Sequence, residues 1–332
     1  MNILYTIDEN FIPQLATCIS SICENNQDEK EITFYVIEQN ISDKDKHTIT
    51  NFCNSYERSI YFYSVKKLLS EFSEIDTGGW REIILARLLM GRLLPNSVKR
   101  IIYLDGDTLN ISSLQPLWNY NLNNKCLGAV IEPTIDPRRK AALGIPKSKG
   151  YINSGILLVD LQKWRESEYE EKIITFCNQN KELLFASDQD AINVVLSNDI
   201  CYLPPCYNFC NSFYIYPYSA IRKMTSAFDY YDEKSYTAFI KNPVMIHYLG
   251  EDRPWRAGST HKFKDCYFNY FRKTPYRNEP LEKGWEFYFK AWSIFNKLIK
   301  PFPIMRLHVI NHMIPFVKQI RKRQRIKDTK KN

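Results

Sequence analysis

The 332-residue sequence predicts an α/β fold built on a parallel sheet. Strand-like and helix-like segments alternate through the first hundred residues, which is the pattern of strands joined by crossover helices. A 44% apolar composition gives such a chain enough material for a sizeable core. Two of the apolar strand-like runs also lead into an acid, Asp8 and Asp105. Ligands of these sheets sit outside the carboxyl ends of the strands, so both acids should face one crevice.

The elements follow in order. Residues 2–7 (NILYTI) read as a buried strand, and residues 12–25 as a helix with Leu15, Cys18, Ile19 and Ile22 at helical spacing. Residues 32–38 make a second strand. Ser42 then opens a helix to about Ser55, with Asp43 and Asp45 suited to its N-terminus. Residues 59–65 are a third strand, 81–94 a helix stopped by Pro95, and 100–104 the fourth strand, which feeds Asp105. Residues 127–131, 155–160 and 244–248 are strand-like, and 161–181 and 188–197 helical. The Tyr-, Phe-, Pro- and Asn-rich stretch 200–250 reads as irregular loops with short strands. There is no internal repeat and no convincing linker before about residue 278.

Charge and cysteine content narrow the classes of function. The net charge is +8, but the segment from Phe316 to Asn332 holds eight Lys and Arg against one Asp. The rest of the chain is therefore close to neutral, which suits a tethered globule and argues against nucleic acid as a partner. Nine cysteines at irregular spacing read as buried free thiols of a reducing compartment, and Cys201, Cys206 and Cys210 lack the paired spacing of a zinc site. The N-terminus has no basic stretch before an apolar run, and no uncharged apolar run is long enough to span a bilayer. The expectation is a cytoplasmic protein, peripheral on the inner face of the cell membrane.

Four short motifs carry chemistry. In Asp105-Gly106-Asp107, two carboxylates flanking one glycine can meet a hard divalent cation from one side, with Gly106 allowing a sharp turn between them. Neither a G-x-G-x-x-G nor a P-loop pattern is present, so a nucleotide phosphate would be held through a metal. An ordinary turn is the competing reading. His247, in HYLGEDRPW, is either a satisfied structural histidine or a metal ligand; Gly250 and Arg253 beside it suit the approach of a phosphate. In Ser187-Asp188-Gln189-Asp190, helix capping accounts for Ser187 and Asp190 but does not require Gln189. Tyr151-Ile152-Asn153-Ser154-Gly155 is either a turn or a place where Asn and Ser meet sugar hydroxyls.

These motifs occur within longer blocks: IDENFIPQLATCISSI, LARLLMGRLLP, RIIYLDGDTLNISSLQPLW, YINSGILLVDLQKW, SDQDAINVVL and HYLGEDRPW. In that order, over about residues 1–260, the chain resembles glycosyltransferase family 8, the retaining transferases that include bacterial lipopolysaccharide galactosyl- and glucosyltransferases. The resemblance implies a GT-A fold, a Rossmann-like mixed central sheet flanked by helices. It also implies a UDP-sugar donor, a glycan or glycolipid acceptor, and Mn2+, with Mg2+ as a substitute. By the family pattern Asp105, Asp107 and His247 would be the metal ligands. Asp8, Asn10 and Arg87 would contact the nucleotide and donor, Asn153, Ser154, Asp188 and Gln189 the donor sugar, and Gly250 and Arg253 the diphosphate. Arg253 stands where the family commonly has lysine. Asp188 and Gln189 are the residues implied in catalysis. A glutamine is a poor nucleophile, so same-face attack by the acceptor hydroxyl is favoured, with Gln189 positioning the reacting sugar and Asp188 holding donor hydroxyls. A protein-glycosylating transferase and a non-catalytic nucleotide-sugar- or glycan-binding partner subunit are the alternatives.

Two segments bear on the acceptor. The polar loop 132–150 carries Arg138, Arg139, Lys140, Lys147 and Lys149, which either meet an anionic acceptor or are simply solvated. Residues 285–320 are rich in aromatic and aliphatic side chains with interspersed Lys and Arg. They read as interfacial helices ending in a polybasic anchor, against the plainer reading of a packing helix with a solvated tail. The expected division is a catalytic domain over 1–278 and a C-terminal helical, membrane-associating extension over 279–332.

Overall fold

A computed structural model of the chain describes residues 1–65, 68 and 82–313, apart from the side chains of Glu82 and Ser187. The first part of the expected helix start at 81, the last residues of the aromatic segment and the basic tail lie outside the described residues.

The four N-terminal strands form as read: β1 (Asn2–Asp8), β2 (Thr33–Gln39), β3 (Ser59–Ser64) and β4 (Arg100–Leu104). They are mutually parallel in the order β3-β2-β1-β4. Alternate side chains point to opposite faces. Ile3, Tyr5, Ile7, Phe34, Val36, Ile102 and Leu104 pack on one side with the helix Ile12–Asn25. Leu4, Tyr35, Ile37, Ile101 and Tyr103 pack on the other. The helix Asp43–Asn54 has the expected cap, Ser42 Oγ accepting from Asp45 N at 3.1 Å. The connections run outward from β1 to β2 and β3 and then return to β4 on its other side. That reversal opens the crevice at the carboxyl ends of β1 and β4.

Beyond β4 the sheet becomes mixed. A short β5 (Thr108–Asn110) leaves it. β6 (Leu127–Ile131) and β8 (Ile200–Tyr202) are parallel to each other, and β7 (Ile152–Asp160) runs antiparallel between β4 and β6. β7 is longer than the expected 155–160, so Asn153 and Ser154 lie in the strand itself. Because β7 is reversed, its first residues lie at the carboxyl end of β4, where Leu104 faces Ile156. β5 pairs with β9 (Met245–His247) in a separate two-stranded sheet.

Several helices depart from expectation. Residues Glu82–Leu89 wind as a 3-10 helix before the short α-helix Met90–Leu93. Its nearly continuous apolar side chains are buried, and packing overrides the ideal helical period. The expected helix 161–181 breaks into Leu161–Glu166 and Tyr169–Gln179, with Glu168 left-handed at φ 53°. The stretch expected to be irregular contains the helices Ser212–Ile215, Tyr218–Met224 and Glu233–Lys241; aromatic and proline content hid their period. At the C-terminal end, Glu286–Ile299 and residues 303–313 are helical. Phe289 and Ile299 are buried, and Ile304 and Leu307 pack against the main core. No helix among the described residues is long and apolar enough to cross a membrane.

Candidate active site

Strand ends bring the charged residues together. Asp8 closes β1, almost wholly buried, and accepts from Asn10 N at 2.9 Å and Asn10 Nδ2 at 3.1 Å. Asn10 itself is exposed beside the crevice. Asp105 follows β4, its N–H donating to Gly155 O at 2.7 Å. Asp107 leads into β5, and the β5–β9 register, Thr108 against His247, sets the imidazole beside it. Tyr248 N donates to Asp107 O at 2.9 Å and locks that register. Gly106 and Asp107 form the expected turn between β4 and β5, but Gly106 is not in the left-handed region, so the turn itself does not call for glycine. Gly106 is small because a Cβ there would lie 3.1 Å from Phe11 and 3.3 Å from Ile7.

One oxygen each from Asp105 and Asp107 and one ring nitrogen of His247 lie within 4.8 Å of one another. Nε2 of His247 is 3.1 Å from Asp107 Oδ1 and 3.8 Å from Asp105 Oδ2. It is buried and has no partner in hydrogen-bond geometry. Its protonation follows from a chain of contacts that starts at a backbone donor. Gly155 N–H donates to Asn153 Oδ1 at 3.0 Å, so Asn208 must offer its Nδ2 to that oxygen, at 2.9 Å. Asn208 Oδ1 then faces His247 Nδ1 at 2.9 Å, which puts a proton on Nδ1, so that the neutral ring presents a bare Nε2. A Cβ on Gly155 would fall 2.2 Å from His247 Cε1 and 2.8 Å from Asp105 Oδ2, so only glycine leaves this cradle open. Two carboxylates and a bare imidazole nitrogen fit a divalent cation.

Two arginines hold the carboxylates from outside. Arg87 is buried on the 3-10 segment and reaches Asp105 Oδ1 at 2.9 Å and Asp188 Oδ2 at 3.0 Å, and it donates to Ser154 O at 2.8 Å. Burial works against its charge. Asp105, Tyr103 and Asp188 more than offset that and hold its pKa above the ordinary value. Burial pushes the Asp188 carboxyl up, Arg87 pulls it back, and Asp105 adds to the rise. Arg253 donates to Asp107 Oδ2 at 2.8 Å, and its guanidinium lies over the rings of Phe11 and Trp255. Burial alone would raise the pKa of Asp107; Arg253, and after it His247 whenever its ring is charged, overcome burial and hold the carboxyl below its ordinary value. Gly250, at φ +86°, has open space where a Cβ would go, and its backbone conformation is what calls for glycine.

The residues of the sequence blocks thus converge, and the family profile agrees with the geometry: Glycosyl transferase family 8 matches residues 2–258. The chain belongs to glycosyltransferase family 8. This glycosyltransferase is 27% identical over 277 residues to general stress protein A of Bacillus subtilis, covering 82% of this chain and 94% of that protein. It is 26% identical over 291 residues to a lipopolysaccharide 1,2-glucosyltransferase of Escherichia coli, covering 85% and 81%. The fold superimposes on galactosyltransferase LgtC in complex with donor and acceptor sugar analogues, with a TM-score of 0.72 at 23% identity, covering 83% of this chain and 96% of that one. The transferase therefore has the GT-A fold, a mixed sheet flanked by helices.

Other expectations for the transferase are corrected or extended. The helix Ser187–Val195 has Ala186, not Ser187, as its cap residue; the Ser187 side chain lies outside the described residues. Asp190 does reach back, accepting from Phe185 N at 2.8 Å and Ala186 N at 3.0 Å. Gln189 Oε1 accepts from Ser154 N at 3.0 Å. In the loop 132–150 the basic residues are less available than expected. Arg139 pairs with buried Asp190, Lys140 is buried with its Nζ on the carbonyls of Lys147 and Lys149, and Arg138 pairs with Asp136 at 2.8 Å. Sequence reasoning missed Asn208, Tyr103 and Thr6. Tyr103 donates to Asp105 Oδ1 at 2.7 Å, and Thr6 Oγ1 lies 2.8 Å from the Tyr103 hydroxyl. Tyr103 was legible as two residues before Asp105 on a strand, hence on the same face. Asn208 sits in a stretch with no periodic signal.

Proposed function

We propose that this glycosyltransferase moves a hexose, galactose or glucose, from a UDP-sugar to a glycan acceptor in surface polysaccharide or lipopolysaccharide synthesis, with retention at the anomeric carbon. The observation that carries the reading is the bare, buried Nε2 of His247 beside Asp105 and Asp107 at the mouth of the sheet. The three side chains would hold Mn2+, or Mg2+ in its place. When bound, the cation offsets charge on the departing diphosphate.

The chain's own residues supply the rest. Asp8 and Asn10 meet the nucleotide, and Arg87, Asn153, Ser154 and Asp188 hold the donor. Gly250 lets the backbone approach the phosphates, and Arg253 shares its guanidinium between Asp107 and the diphosphate. Asp188 is tied to Arg87, which suits holding sugar hydroxyls more than attacking carbon. Gln189 positions the reacting sugar while the acceptor hydroxyl attacks from the leaving-group face. The lipopolysaccharide 1,2-glucosyltransferase among the relatives supports a hexose donor and a lipopolysaccharide acceptor.

We also propose that residues 279–332 are an extension that lies on an anionic membrane surface, with 1–278 the catalytic unit. Among the described residues, seven of the nine large exposed hydrophobics fall in 287–313: Phe287, Tyr288, Ile294, Leu298, Phe302, Met305 and Met313. The basic segment follows them directly. UDP release from UDP-galactose, UDP-glucose and UDP-N-acetylglucosamine, with and without acceptor glycolipid and Mn2+, tests the reading. Metal-dependent release from one hexose donor, enhanced by acceptor, is expected. No release from any donor while UDP still binds would favour the non-catalytic partner instead.

A further inference from the structure

Asp190 and Tyr151 are among the most buried polar side chains in the chain, at 1% and 2% exposure, and the proposed reaction uses neither. They lie next to Gln189, the side chain proposed to position the reacting sugar. The backbone N–H of Ser154 can only donate, and it meets Gln189 Oε1 at 3.0 Å. The other end of that carboxamide, Nε2, therefore faces the Tyr151 hydroxyl at 3.3 Å and donates to it. With its oxygen occupied as an acceptor, Tyr151 gives its own proton to Asp190 Oδ1 at 2.7 Å. Asp190 is held in turn on its other oxygen by Arg139 and by the N–H groups of Phe185 and Ala186. Every link has one permitted direction, fixed at one end by a backbone donor and at the other by a carboxylate that can only accept. A carboxamide has two orientations of almost equal shape and opposite polarity, and this chain selects one.

We infer that Tyr151 and Asp190 are positioning residues that, together with the Ser154 N–H, hold the Gln189 carboxamide in one place and orientation toward the donor sugar. The inference rests on the proposed role of Gln189. Without the Tyr151 hydroxyl, Nε2 loses its acceptor, only the Ser154 N–H still holds the carboxamide, and the side chain can swing away from the reacting sugar. Binding of the nucleotide, which is held elsewhere in the crevice, is unaffected.

The test is a kinetic cycle in the full-length transferase: wild type, Tyr151→Phe, Gln189→Ala and the double variant, with melting temperatures measured for all four. Tyr151→Phe is expected to lower kcat by about tenfold, a loss of the size small misplacements cause, while KM for the nucleotide sugar stays within about twofold. In the Gln189→Ala background the same change should alter kcat by less than about twofold, because the side chain it positions is gone. A purely structural role would lower kcat by the same factor in both backgrounds, and that result overturns the inference. So does an unchanged kcat in Tyr151→Phe. If Gln189→Ala itself keeps full kcat, the role proposed for Gln189 falls and the inference falls with it; a large loss there with none in Tyr151→Phe removes only the inference. Asp190→Asn, which keeps the side-chain shape and frees the Tyr151 hydroxyl to rotate, is the second probe, with the same loss and the same silence in Gln189→Ala expected.

Discussion

Single side chains decide this site, and some announce themselves in sequence while others do not. Asp105 and His247 could be singled out because each follows an apolar strand-like run, and Asp107 because it stands one glycine beyond Asp105. Asn208 could not be, because its task is to orient His247 and Asn153, and nothing in its neighbourhood on the chain hints at either. Asn208→Ala should leave the fold intact and lower activity by about 10- to 100-fold, the usual cost of removing an outer partner of a metal-binding histidine. Initial rates across a Mn2+ titration check this, and higher Mn2+ should restore part of the loss. Arg87→Ala should be far more damaging to the fold. It leaves Asp105 and buried Asp188 without the cation that both share, at a cost of about 3–5 kcal/mol by the precedent of broken buried pairs. Urea unfolding of the purified variant measures it.

At the scale of elements, the first four strands were readable because parallel buried strands are near-continuous apolar runs. The reversal of β7 was not readable. Strand direction depends on which neighbours a segment finds, and the residues Ile152–Asp160 would be equally apolar in either sense. Yet the reversal is what carries Asn153 and Ser154 to the crevice, a placement the sequence did not contain. The loop after β9 offers a prediction of its own. His261 is buried, its Nδ1 accepting from Phe263 N at 3.1 Å and its Nε2 lying 3.1 Å from Asn211 Oδ1. Burial pushes its pKa down to about 4, with Asp252 opposing. The folded protein therefore keeps this ring neutral where the unfolded chain would protonate it. Stability conferred by the neutral ring is full above pH 6.5 and is lost as pH falls toward 4, by on the order of 3 kcal/mol. Melting temperatures across that window should fall less steeply for His261→Gln than for wild type; equal slopes would remove His261 as the cause.

For the whole molecule, the C-terminal helices have two faces with different partners. Phe289 and Ile299 are buried, and Arg306 donates to Tyr216 Oη at 2.8 Å, so this segment is bonded to the body of the chain before it. Deleting it would uncover that interface, which makes truncation a poor probe of membrane binding. Replacing Phe287, Ile294 and Leu298 together by serine leaves the inner face alone. The triple variant should keep its melting temperature and activity on soluble acceptor while losing most of its sedimentation with anionic vesicles; undiminished sedimentation would assign any attachment to the basic tail alone. Asp105, Asp107 and His247 are proposed to bind the diphosphate through a cation, and calorimetric titration of UDP tests this most directly. Wild type should bind UDP more than about tenfold more tightly in Mn2+ than in EDTA, and His247→Ala should lose that difference. Equal affinity in Mn2+ and EDTA for wild type, or a His247→Ala variant that keeps the full Mn2+ effect, would contradict the account.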